Sequence, residues 1–287
     1  MKNDPSSLTV VIDLPLSHET GGLRRYYDFA SRYIDPRHVD VWCPPGYSEE
    51  GAARYPVIYM HDGQNLFDPA SSGYGVDWGV DEAVTGLIQT HKIQGAIVVG
   101  VWNTASRYRE YMPQKPLAAA QAQSLLAQFI QEKGGDPFSD AYLRVLVEEL
   151  KPFIDANYRT LPDQPHTFVM GSSMGGLISL AAVEEYPDVF GGAGCLSNHW
   201  PIGQDVVVEY LGNGLPPAGV HKLYFDHGTE GLDAGYEPYQ QRMDAFLQAA
   251  GYTSHKDWIT LKFDGADHNE IAWRARVHIP LLFLLRE

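Results

Sequence analysis

Hydrophobic and polar positions change their period several times along the 287 residues. Near the start the chain alternates in short β-rich runs, Leu8–Leu14, Arg24–Tyr33 and His38–Trp42, punctuated by Gly21-Gly22 and Asp35-Pro36. That pattern predicts antiparallel strands joined by tight turns. Val57–Met60 is then an apolar run after Pro56, and Gly95–Val101 (GAIVVGV) is apolar throughout. Continuous runs of this kind mark strands buried on both faces of a parallel sheet. Thr167–Met170, Gly191–Leu196, Leu223–His227 and Asp257–Phe263 supply further strands.

Between these runs the period lengthens. Val80–Thr90, Ala118–Lys133 and Glu237–Ala250 read as helices. Tyr142, Leu143, Leu146, Val147, Leu150, Phe153 and Ile154 recur at three-to-four spacing, which predicts a helix capped by Ser139 and kinked at Pro152. Pro201–Gly219, with its glycines and prolines, reads as loop. The last helix runs to Leu285, bent or split by Pro280, with His278 packed against the core. Strands alternating with helices predict an α/β fold, with a mostly parallel central sheet and helices on both faces. The strand-rich segment at about 8–43 is expected to join the same sheet. No linker divides the chain, so residues 1–287 are expected to form a single domain. The carboxyl ends of the strands are where such sheets carry their sites.

One of those ends stands out. The strand Thr167–Met170 turns through Gly171-Ser172-Ser173-Met174-Gly175-Gly176 into the helix-forming run Leu177–Val183. Within it lies G-x-S-x-G with Ser173 at the centre, in the strand–turn–helix setting of the nucleophile elbow of α/β-hydrolases. The reason for the glycines is steric, because the turn brings its own backbone too close for side chains at Gly171 or Gly175.

Composition narrows the alternatives. Asp and Glu number 36 against 21 Lys and Arg, a formal net charge of -15, and no basic cluster occurs. That argues against nucleic acid and against anionic membrane surfaces as partners. No apolar run is long enough to span a membrane. Cys43 and Cys195, the two cysteines, lie in apolar surroundings and are expected as buried free thiols. No CxxC or HExxH spacing signals a metal. MKNDPSSLTV lacks a charged start followed by an apolar core, so the chain as written is expected to be cytoplasmic, or secreted if a leader was removed.

A serine hydroxyl needs a base to take its proton. In the order serine, acid, histidine, His268 follows the last strand and is the candidate base. The acid is expected in the turn after Leu223–His227, as Asp233 or alternatively Glu230, with Asp233 preferred for its shorter side chain. Asp226 lies within the strand and points poorly for that task. The oxyanion of an acyl transfer requires donors, and the backbone N–H groups of Met174 and Gln64 are the candidates. Trp78, Trp102, His199 and Trp200 cluster at strand ends with Arg107, Arg109 and Glu110. The aromatic groups suit a substrate with a flat portion, while Arg107 and Glu110 could pair with each other.

Taken together, Val39–Tyr47 (VDVWCPPGY), Pro56–Phe67 (PVIYMHDGQNLF), Glu148–Arg159 (EELKPFIDANYR), Gly171–Gly176 (GSSMGG), Tyr224–Tyr239 and Gly265–His268 (GADH) resemble the putative esterase family. This group holds esterase D-like, feruloyl and acetylxylan esterase and enterochelin-esterase-like hydrolases. The resemblance implies a serine hydrolase of small-molecule carboxylic esters that needs no cofactor, with Ser173 as nucleophile and His268 as base. Many relatives carry G-T-E-D at the end of the acid strand; here Gly231 and Leu232 intervene before Asp233. The absence of a long apolar lid suggests short-chain or aromatic acyl esters, including esters of carbohydrates. Two other readings use the same scaffold: an acyltransferase with the same triad, and a non-catalytic carbohydrate- or partner-binding protein.

Overall fold

The computed structural model describes residues 10–14, 16 and 20–286. Its strands are β1 (Val10–Leu14), β2 (Gly22–Phe29), β3 (Arg37–Cys43), β4 (Val57–His61), β5 (Ile97–Val101), β6 (Thr167–Ser172), β7 (Gly192–Leu196), β8 (Lys222–Gly228) and β9 (Trp258–Phe263). They form one sheet in the order β1-β2-β3-β5-β4-β6-β7-β8-β9. The strands β1, β2 and β3 pair antiparallel with one another, and β3 pairs antiparallel with β5. From β5 to β9 every pairing is parallel. The expected α/β architecture, with antiparallel strands feeding a parallel sheet, is therefore present. Leu8 and Thr9 of the first expected strand lie outside the described residues.

The continuous apolar runs have a direct cause. In β4, Val57 and Tyr59 enter one core while Ile58 and Met60 enter the other; in β6, Val169 and Met170 divide the same way. Both faces are covered, so no position can be polar without a partner. The helix Met174–Glu185 lies on the first face and is buried from Met174 to Val183. Val80–Gln89 and the C-terminal helices Glu270–Arg276 and His278–Leu285 pack in the second core. Cys43 and Cys195 are free and buried. Among the described residues no helix is long and apolar enough to cross a membrane.

Several local expectations need correction. Ser139 is the first residue of its helix rather than its cap, and its Oγ accepts from Gln114 N–H at 3.0 Å. Pro152 does not simply kink the helix. The preceding turn, Val145–Leu150, widens to π geometry, which relieves the clash that the proline ring makes with the preceding turn. The segment Pro201–Gly219 contains a helix, Gln204–Asn213, which buries Val207, Val208 and Leu211. Glycines and prolines flank that amphipathic stretch and mask it. Pro280 does coincide with a split between the last two helices at Val277, but His278 is exposed, not packed in the core.

Candidate active site

Six loops converge at the carboxyl ends of the parallel strands, and the first is the turn after β6. Ser173 adopts φ 58° and ψ -122°, a conformation that L-residues rarely hold. Its neighbours hold it there: Ser173 N–H donates to Leu196 C=O at 2.9 Å, and His199 N–H donates to Ser173 C=O at 3.2 Å. A Cβ at Gly171 would lie 2.9 Å from the carbonyl carbon of Gly175, so only glycine fits. Gly175 is tight rather than impossible, its Cβ position being 3.3 Å from the His61 Cβ.

Ser173 Oγ lies 2.9 Å from His268 Nε2, and His268 Nδ1 lies 2.6 Å from Asp233 Oδ1. A carboxylate can only accept, so Nδ1 carries the proton and Nε2 is free to accept from the hydroxyl. Asp233 is 1% exposed, whereas Glu230 points into solvent. The Asp233 Oδ2 accepts from Ser197 Oγ and from Gly228 N–H, both at 2.6 Å. Burial pushes the Asp233 carboxyl up, but the hydrogen bonds from His268, Ser197 and Gly228 outweigh it and hold the group below the usual carboxylate range.

Ser197 was not singled out by its sequence, yet it joins several parts of the site. Its φ is 45°, and its hydroxyl also accepts from Trp273 Nε1 at 3.1 Å and Arg276 Nη2 at 2.9 Å. Arg276 in turn grips Asp226 through Nε and Nη2, at 3.1 and 3.0 Å. This explains why Asp226 is turned away from His268. Trp273 stands edge-on to the His268 ring, with centroids 4.9 Å apart.

The loop after β4 runs through His61, Asp62 and a 3-10 turn, Gly63–Asn65. Among the described residues the N–H groups of Gln64 and Met174 have no acceptor. His199 Nδ1 lies 2.5 Å from Tyr236 Oη, and burial above all pushes its pKa down to about 4. Glu270 is buried beside the same loops, and burial pushes its carboxyl up to about 7.

The four aromatic and imidazole candidates divide. His199 remains half-buried at the site. Trp102 stacks under Arg25, 4.4 Å from ring to guanidinium, and donates to Asp40. Contrary to expectation, Trp78 and Trp200 are 2% and 1% exposed. Trp78 packs on Trp273, and Trp200 donates to Gln240. An aromatic ring at a strand end serves equally well to close a core, and sequence position does not distinguish the two uses. Arg107 does not pair with Glu110. It takes Asp62 in a bidentate pair, and Glu110 pairs with Arg37. Among the described residues no cluster of three or more His, Cys, Asp or Glu is arranged to hold a metal ion.

Known proteins resemble this chain in sequence and in fold. Residues 31–278 match the family described as putative esterase. The uncharacterized protein YbbA of Bacillus subtilis is 27% identical over 165 residues, 57% of this chain and 58% of that one. An endo-1,4-beta-xylanase/feruloyl esterase of Xylanibacter ruminicola is 24% identical over 243 residues, 82% of this chain and 27% of that protein. The chain thus spans less than two thirds of the length of these curated relatives. A solved ferulic acid esterase superposes with a TM-score of 0.64 at 16% identity, covering 97% of this chain and 98% of the other. The fold is that of α/β-hydrolase-type esterases, and with the match running from just past β2 to the first residue of the last helix, the chain belongs to the putative esterase family.

Proposed function

We propose that this protein hydrolyses carboxylic esters through an acyl-enzyme, as a single α/β-hydrolase domain. The observation that carries the reading is the unbroken chain Ser173 Oγ, His268 Nε2, His268 Nδ1, Asp233 Oδ1, with links of 2.9 and 2.6 Å. His268 takes the Ser173 proton as Oγ attacks the ester carbonyl, and Asp233 stabilises the imidazolium that results. The carbonyl oxygen becomes an oxyanion, and the free N–H groups of Met174 and Gln64 are its donors. His268 then protonates the departing alcohol. Water, deprotonated by the same ring, releases the acid and restores Ser173.

The preferred substrates in this reading are small esters with short or aromatic acyl groups, including esters of carbohydrates. Two of the compared proteins are named for feruloyl or ferulic acid esterase activity, which is an aromatic acyl chemistry. Around the loops lie exposed Tyr74 and Tyr108, and Tyr74 is within electrostatic reach of Glu270, Arg107 and Asp62. A mouth with tyrosines and charges suits flat, polar esters better than long hydrocarbon chains. The test is a fluorophosphonate label on wild type and Ser173→Ala, followed by an ester panel with acetyl, feruloyl and long-chain members. Labelling of wild type alone, with turnover of the short and aromatic esters, is the expected result. Turnover of long-chain lipids alone would reject the substrate reading, and failure to label Ser173 would reject the mechanism.

A further inference from the structure

Asp62 holds a left-handed backbone, φ 57° and ψ 46°, at the point where β4 gives way to the turn Gly63–Asn65. A residue with a side chain keeps that conformation when its surroundings over-determine it. Here they do. Arg107 donates to Asp62 Oδ1 and Oδ2 through Nε and Nη2, each at 2.7 Å. Asn103 Nδ2 donates to Oδ1 at 2.6 Å. Burial pushes the Asp62 carboxyl up, yet the charge and hydrogen bonds of Arg107, with that of Asn103, hold it below the usual range, so the pair is ionised.

The grip extends to the next residues. The backbone N–H of Asn103 donates to Gln64 Oε1 at 3.2 Å, and Ser71 Oγ donates to the Gln64 carbonyl at 2.8 Å. Gly63 is pressed onto β5, where a Cβ would lie 2.5 Å from the Gly100 carbonyl carbon. On the other side, a Cβ at Gly175 would sit 3.5 Å from Asp62 Oδ2, so the ion pair borders the first turn of the Ser173 helix. Gln64 is thus fixed by its side chain and its carbonyl, while its N–H is left without an acceptor among the described residues.

We propose that the Asp62–Arg107 pair, coupled through Asn103 to Gln64, is a positioning lock that aims the Gln64 N–H at the oxyanion of the reacting ester. The inference rests on the reading of Ser173 as nucleophile. An oxyanion donor is effective because it is oriented before charge develops. The lock supplies that orientation by holding the strained residue two positions before the donor.

The experiment uses the full chain as Asp62→Ala, Asp62→Gly, Arg107→Met and Arg107→Lys. Three quantities are measured: kcat and KM on an activated ester, affinity for phenylboronic acid, and hydrogen exchange of the peptide spanning 62–67. Asp62→Ala and Arg107→Met are expected to lower kcat by about 10- to 100-fold with KM within about 2-fold, since a displaced donor is lost only in the transition state. Boronate affinity should fall by a similar factor, and exchange of the peptide should accelerate. Asp62→Gly should retain more kcat than Asp62→Ala, because glycine adopts the left-handed backbone without strain. Arg107→Lys should restore part of what Arg107→Met loses.

Unchanged kcat, boronate affinity and exchange would overturn the lock. So would a parallel fall in kcat, KM quality and melting temperature with Asp62→Gly no better than Asp62→Ala, which marks a merely structural pair. If the wild type neither turns over esters nor labels at Ser173, the reading of the site fails instead. The exchange measurement still decides whether Arg107 holds the Gln64 turn.

Discussion

Asp233 turns one carboxylate oxygen to His268, at 2.6 Å, and keeps the other for Ser197 and Gly228. Glu230, three positions earlier, is exposed. Asp233→Asn should therefore lower kcat, and Glu230→Gln should leave it nearly unchanged. Ser173→Ala and His268→Ala should each cost about 10³-fold or more, because the members act as one unit. Asp233→Asn should cost less than Ser173→Ala, since the acid orients and stabilises without reacting. Measuring kcat for the four variants on one activated ester decides the assignment; a crippled Glu230→Gln would transfer the role to Glu230.

The Asp226–Arg276 pair is almost wholly withdrawn from solvent, at 0% and 3% side-chain exposure. Arg276→Met leaves Asp226 without its counter-charge and should destabilise the protein by about 3–5 kcal/mol. Urea denaturation is the measurement. Adding Asp226→Leu to Arg276→Met should recover part of the loss, because no lone charge then stays buried. A single variant as stable as wild type contradicts this.

His199, pushed down to about 4 chiefly by burial, is neutral across the working range. Replacing it with glutamine should leave the acid limb of the kcat/KM profile where it is. The loss should fall on KM, because a neutral ring held by Tyr236 can touch substrate but has no proton to give up there. A shift of the acid limb in His199→Gln would show that this ring titrates during turnover.

Glu270 offers a stability test with a defined sign. Its ordinary value is 4.5, and burial raises it to about 7 in the folded chain. Between those values the folded state binds the proton that the unfolded chain has released. Its contribution is complete below the unfolded value and declines as pH rises through the folded one. Glu270→Gln should therefore match wild type near pH 4.5 and melt a few degrees higher at pH 8. Melting curves at the two pH values check this, and a variant less stable at pH 8 rejects the burial argument.

The strands were legible because burial on both faces leaves only apolar residues in Val57–Met60 and Gly95–Val101. The meeting of Ser173 and His268 was legible because a glycine turn after a strand and a loop after the last strand are local features. Asp233 could be narrowed to its turn but not separated from Glu230 without knowing which side chain is buried. Arg107 and Asp62 are 45 positions apart, and Ser197 meets Arg276 across 79. Contacts that distant in the chain leave no period to read. Trp78 and Trp200 show the converse limit, since position at a strand end fixed their neighbourhood but not their exposure.

The turns carrying Asp233 and His268 are sewn to each other. Thr229 and Glu230 N–H groups both donate to Ala266 C=O at 3.0 Å, and Gly265 N–H donates to Thr229 Oγ1 at 2.8 Å. Exposed Tyr74 and Tyr108 lie on other segments, Asp68–Val76 and Arg107–Tyr111, which are tied to the Asp62–Gln64 turn through Ser71 and Arg107. The spacing of the Asp233 and His268 turns is thus set by bonds that neither of those segments makes. Replacing Tyr74 or Tyr108 alone, with Ser71 and Arg107 kept, should leave that spacing unchanged.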